Sequence, residues 1–180
     1  IQYDARSGRI FRADKGADGT TKVDITRSFK CVMDLENVEV GFILFTAGAA
    51  PDFRMAPYGQ PLPEKPTTEH RAGVRMHVKL SATCGGDVRE LAATANVFLR
   101  GINALHDEYL KLAPLNPGKL PIVILADTLP VESGSGAKRS TNYQPRWEIT
   151  GWAPRPADMA PGAGARGQTA AASATHTGNG

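Results

Sequence analysis

A two-residue alternation near the front of the chain constrains it most. Val23, Ile25, Phe29, Cys31, Met33 and Leu35 fall on odd positions, with Lys22, Asp24, Lys30 and Asp34 between them. Successive side chains of a strand face opposite ways, so this period predicts a half-buried strand over 23–35. Arg27 is the one charge on its apolar side. A strand of that length bends or coils and serves two sheets.

The rest of the chain supplies further elements. Glu36-Asn37 offers a turn, and 38–46 (VEVGFILFT) reads as a second strand. A loop over 47–71 holds five prolines together with Phe53, Arg54 and Tyr58. Loops of that length are commonly functional. Residues 73–81 (GVRMHVKLS) form a third strand, with Val74, Met76, Val78 and Leu80 on one face and Arg75, His77 and Lys79 on the other. One helix follows. Asp87 and Glu90 are spaced as a capping box, and Leu91, Ala95, Phe98, Ile102, Leu105, Tyr109 and Leu112 recur at steps of three and four up to Pro114. Residues 121–126 (PIVILA) read as a buried strand. A Gly/Ser loop over 129–144 carries Lys138, Arg139 and Tyr143. A last strand, 146–152, starts at Arg146 and has a bulge at Gly151.

Three strands, a helix and two strands give a mainly β chain with one long helix. The predicted fold is OB-fold-like: a five- to six-stranded Greek-key barrel with its helix between strands 3 and 4, and the sixth strand at 9–13. A sandwich with one helix on its face is the alternative. Residues 1–156 make up the predicted domain. Residues 157–180, mostly Gly, Ala, Ser and Thr, read as a flexible tail.

Chemistry-bearing motifs are sparse. The 134–141 segment (GSGAKRST) lacks the spacing of a phosphate loop, and a strand follows where a helix is needed. His70, His77 and Cys84 supply no tight pair of metal ligands, and Asp107-Glu108 reads as a solvated helix face. No catalytic residues, metal or cofactor are predicted. Cys31 and Cys84 are too few for a disulfide framework, and reduced thiols fit a cytoplasmic location. No apolar run reaches the ~20 residues of a membrane span, and no signal peptide is expected at the start.

Charge points to a partner. Net charge is +3. Residues 1–30 carry seven Lys/Arg against four acids and 65–89 carry five against two, whereas 31–64 holds five acids and one base. Single-stranded nucleic acid is bound by cationic grooves with aromatic platforms. The predicted binding residues are Arg27, Lys30, Phe53, Arg54, Tyr58, Arg75, His77, Lys79, Lys138, Arg139, Tyr143, Arg146 and Trp152. Of Trp147 and Trp152, one is expected in the core and one exposed, and Arg27 has the alternative of pairing with an acid inside the barrel.

Three segments carry a resemblance: 41–52 (GFILFTAGAAPD), 71–75 (RAGVR) and 149–156 (ITGWAPRP). With them, the chain resembles phage-encoded single-stranded DNA-binding proteins, prophage copies included. The resemblance implies an OB-fold, binding of single-stranded DNA without sequence preference, and a role in phage replication or recombination beside the proteins of those processes. The tail departs from the pattern, because many replication-type binding proteins end in an acidic partner-recruiting segment. A virion or tail-associated β-domain that self-assembles is the alternative function, and a homo-oligomer fits either.

Overall fold

The computed structural model describes residues 1–16 and 19–159. Among the described residues, ten strands form two sheets and are accompanied by one α-helix. The smaller is an antiparallel meander of β1 (Gln2–Asp4), β2 (Arg9–Gly16) and β3 (Gly19–Asp24). The larger has seven strands. They are β4 (Lys30–Met33), β5 (Glu39–Leu44), β6 (Asp52–Pro57), β7 (Arg71–Leu80), β8 (Val88–Ala93), β9 (Lys119–Ser133) and β10 (Ser140–Pro154). Helix α1 (Asn96–Leu112) lies between β8 and β9.

Strand β7 organises the large sheet. One edge pairs with β8 from Val74 to Lys79. The other is shared end to end, with β5 opposite Arg71–Arg75 and β4 opposite Val78–Leu80. The sheet runs β10-β9-β4-β7-β5-β6 and stops there. Its terminal strands do not pair with each other, so the predicted OB-fold-like Greek-key barrel is absent. With β7 saturated on both edges, closure would have to join β10 to β6 or β8, and neither pairing exists.

The predicted strand over 23–35 is broken at its one mismatched charge. Thr26–Ser28, with Arg27 at its centre, forms a 3-10 turn between β3 and β4. Asp24 Oδ1 accepts from Thr26 N (3.0 Å) and from its hydroxyl (2.5 Å), and Thr26 Oγ1 accepts from Ile10 N (2.9 Å). An Asp side chain bonding the backbone two residues on is a local competitor of the β-ladder. The burial alternation survives the break: Ile25, Phe29, Cys31, Met33 and Leu35 are all buried.

The helix starts later than its stripe suggests. Residues 88–93 (VRELAA) suit a helix by propensity, but they add a strand to β7. Pairing with an open sheet edge overrides the local preference. From Asn96 onward the stripe holds, with Phe98, Ile102, Leu105 and Tyr109 buried. The proline-rich segment contains an edge strand, β6, with Pro57 at its end, where no ladder donor is missed. The presumed 129–144 loop is instead the distal half of a hairpin. Its two 15-residue strands pair from Lys119↔Pro154 to Ser133↔Ser140. The bulge expected at Gly151 falls one residue earlier, at the unpaired Thr150, and a second register shift at Arg146/Trp147 leaves Ala126 of β9 unpaired.

The core lies where α1 crosses β10. Gly101 makes this possible, since a Cβ there would sit 2.6 Å from the Pro145 carbonyl oxygen. Beside it, Phe98 meets Tyr3 (5.3 Å between centroids) and the edge of Trp147 (6.0 Å), and Trp147 meets Phe29 (5.6 Å). The Tyr3 hydroxyl donates to Tyr143 O (2.8 Å), tying the small sheet to the hairpin. Arg89 of β8 reaches back to Ala13 O and Asp14, both at 3.0 Å. Of the presumed tail, Ala157–Met159 forms a 3-10 turn with Met159 buried, and 160–180 lies outside the described residues.

Two outcomes are expected. Phe98→Ala should cost about 3–5 kcal/mol by removing a fully buried aromatic, as read from denaturant midpoints. A negligible change would place the stripe off the core. The second concerns acid. Three carboxyls of the small sheet and its flanks titrate below the usual range: Asp4 through the Ser7 hydroxyl, Asp14 through Arg12, and Asp24 through Thr26. Groups with depressed folded pKa values stabilise above the unfolded value, about 3.9, and lose that contribution as pH falls through the folded one. Below about pH 4, amide exchange should therefore rise in β1–β3 before it rises in β7.

Candidate nucleic-acid interface

The predicted cations separate by whether a carboxylate neutralises them. On the outer face of β7, Arg75 Nε lies 3.0 Å from Glu90 and 3.4 Å from Glu39, with its guanidinium 4.8 Å above the Phe53 ring. Glu39 and Arg75 are register partners, so strand pairing itself builds this contact. Lys79 bonds Asp158 of the C-terminal turn. Arg54 pairs with Asp52 (3.6 Å) and Arg139 with Glu132. His77 is half-buried opposite Glu90. The third-strand face expected to be a basic platform is thus largely compensated by acids from β5, β8 and the C-terminal turn.

Arg27, Lys30 and Arg146 are exposed and form no ion pair among the described residues. Arg27 lines a groove of about 820 Å³ between the small sheet and β9. Its walls are the β1–β2 turn (Ser7 to Arg9), the Asp24 to Ser28 turn, and Leu125 to Thr128 of β9. Lys30 sits opposite Ile124, just before that wall, and Arg146 is the cross-strand partner of Asp127 within it. Arg9 adds a fourth cation, held loosely by Asp24 at 3.4 Å with its side chain 60% exposed. Gly8, at φ +69°, closes the turn, and a Cβ there would crowd Thr128 and Tyr143 at 3.1 Å.

The aromatics do different work from that expected. Tyr143 is a structural joint: its N donates to Ala5 O (2.7 Å) and its O accepts from Tyr3. Trp147 and Trp152 are both half-buried and not one inside and one outside. Trp152 stacks on Tyr109 (6.0 Å, 28°), which continues through His106 (5.7 Å) to Tyr58 (4.4 Å). Two predicted site residues from opposite ends of the chain thus terminate one aromatic row, but His106 and Tyr109 in its middle are buried. Lys138 falls on the 3-10 turn Gly136–Lys138 at the hairpin tip. Arg9, Asp24 and Asp127 of the groove, and His106, escaped the sequence reading. Arg9 was legible only as part of a strand, and nothing in the sequence places it beside β9.

The chain matches no family model, no curated protein and no solved structure. With the sheet open and the third-strand cations neutralised, the resemblance to phage single-stranded DNA-binding proteins of OB-fold type is not supported. Its motifs have a structural reading instead. Gly41 and Gly73, from two of the three segments, are register partners. A Cβ on Gly41 would collide with the Arg54 carbonyl, and one on Gly73 with Ile43. No helix among the described residues is long and apolar enough to cross a membrane.

Lys79→Glu tests whether that lysine is a clasp. A like charge beside Asp158 should loosen the turn that buries Met159. An exposed pair is worth up to about 1 kcal/mol, so Met159 oxidation by peroxide should quicken roughly fivefold. An unchanged rate would separate the ion pair from the burial of Met159.

Proposed function

We infer that the protein binds single-stranded nucleic acid without catalysis, along the groove between the small sheet and β9. The observation that carries this reading is the sorting of its cations. Arg75 and Lys79 of β7 and Arg139 at the hairpin tip are matched by carboxylates, whereas Arg27 lines the open groove and Lys30 and Arg146 lie beside it with no ion pair among the described residues. A phosphodiester passing there would meet Arg27 in the groove and Lys30 and Arg146 beside it, and would run past Asp24 and Asp127 in the wall. Thr128, whose hydroxyl donates to no group among the described residues, adds a group that donates to a phosphate oxygen irrespective of base. Binding of this kind is sequence-tolerant and falls steeply with salt, because each neutralised phosphate releases a counterion.

Fluorescence polarisation of a labelled oligo-dT, at two salt concentrations and against a duplex competitor, tests the reading. Lys30→Glu and Arg146→Glu should each weaken binding and lower the salt slope by about one counterion. Glu132→Ala, which frees Arg139 at the hairpin tip, should leave the groove unaffected. No binding at low salt, or equal competition by duplex, would overturn the reading.

Self-assembly is the second reading. Its specific support is the distal hairpin: Leu129 is 41% exposed, and Pro130 and Glu132 beside it are exposed too. Particles that grow with protein concentration in the absence of nucleic acid would favour it.

A further inference from the structure

The large sheet stops at β6, and the register with β5 fixes which backbone groups that edge offers. Tyr58 N donates to Val38 O (2.8 Å), straight across the ladder. Antiparallel pairs alternate between bonded and non-bonded. Ala56, Arg54 and Asp52 therefore bond β5, while Phe53 and Met55 turn their N–H and C=O groups outward. Neither has a hydrogen-bond partner on that side among the described residues. The usual guards of an edge are missing here. The strand pairs with β5 without a bulge, and its flanking prolines, Pro51 and Pro57, leave both outward N–H groups in place. Only the Pro57 carbonyl is taken, by Gln60 N at 3.0 Å.

The charges of the strand say what can pair with it. Asp52 and Arg54 are two residues apart on one face, with side chains 43% and 56% exposed and a loose 3.6 Å contact between them. An antiparallel copy of the same strand, centred on Phe53, sets Asp52 opposite Arg54 of the second copy and Arg54 opposite its Asp52. Centring on Arg54 instead brings two like charges face to face. Centring on Met55 leaves all four charges unmatched and calls on the Pro57 carbonyl that Gln60 already holds. Opposite charges across a strand pair stabilise it, and like charges destabilise it. The edge is thus complementary to itself in one register.

We propose that two copies of the chain pair through β6, antiparallel and centred on Phe53, and join their large sheets into one. Each Phe53 N–H donates to the Phe53 carbonyl of the other copy, and each Met55 N–H donates to the other's Pro51 carbonyl. Two Asp52–Arg54 pairs flank these bonds. The arrangement has twofold symmetry and closes, so assembly stops at two copies. The contact is short, so association is weak and depends on concentration. None of these residues lines the groove between the small sheet and β9, so the proposal is independent of the nucleic-acid reading.

The test is sedimentation velocity of the full chain over a concentration series without nucleic acid, with amide exchange on the same samples. A dimer should grow in with concentration. The Phe53 and Met55 amides should gain protection as it does, while Arg54 and Ala56, already bonded to β5, should not change. Met55→Pro removes a donor that the chain's own ladder does not use, and should abolish the dimer. Arg54→Asp and Asp52→Lys should each weaken it roughly tenfold. An equimolar mixture of the two should restore it, because opposite charges then face each other on different copies. Arg54→Asp is the cleaner single change, since Asp52 also meets the buried His70 at 3.3 Å. A monomer at every concentration would overturn the proposal. So would a dimer that Met55→Pro leaves intact, or a mixture no stronger than its components. Assembly through the distal hairpin would instead give particles that Met55→Pro does not change.

Discussion

Both edges of β7 are occupied, and the remainder of the large sheet is arranged around that fact. A central strand has one row of backbone groups on each side, and each row must be satisfied. Here β8 takes one row, while β4 and β5 divide the other. The division works because the chain turns between Met33 and Glu39. Asp34 fixes that turn by accepting from Asn37 and by holding Arg155 from the far end of the domain (2.6 and 3.0 Å). The apolar face of β7 (Val74, Met76, Val78, Leu80) then forms a continuous floor for the core. An open sheet follows, with β6 and β10 as its ends.

The Gly41–Gly73 pair lets β5 cross β7 so closely. Two residues without side chains face each other where the Arg54 carbonyl and Ile43 crowd the backbone. Ile43, on the outer face, becomes buried, and Phe53 is set below Arg75. The same geometry brings Glu39 and Glu90 to Arg75 from strands on either side. A basic stripe in the sequence thus becomes an ion-paired lattice, and charge count alone misleads about where an anion can bind.

Period-2 patterning located β4, β5 and β7, and period-3.6 patterning located the buried stripe of α1 from Phe98 onward. Both signals come from burial, which a sequence displays directly. What stayed hidden depends on pairing between distant segments. Residues 88–93 carry no strand signal of their own and become β8 only because β7 has a free edge. The barrel expectation failed for the same reason: element order does not say which edges meet. The groove between the small sheet and β9 was half legible. Arg27 stands out as a charge in the sequence, but the Asp24 and Asp127 that share its wall, and the Glu39, Glu90 and Asp158 that compensate Arg75 and Lys79, are placed only by the fold.

The two register shifts in the β9–β10 hairpin have a consequence for its distal half. Each leaves one residue unpaired, Ala126 of β9 opposite Arg146/Trp147 and Thr150 of β10 between Ile149 and Gly151. Such insertions bend a ribbon and steepen its twist. The segment that packs under α1 and the segment that stands beyond Tyr143 are therefore aimed separately. Single-residue deletions at these two points would turn the ribbon's outer faces over while leaving its sequence almost intact. The hairpin's orientation is written in the spacing of its residues and not in their identity.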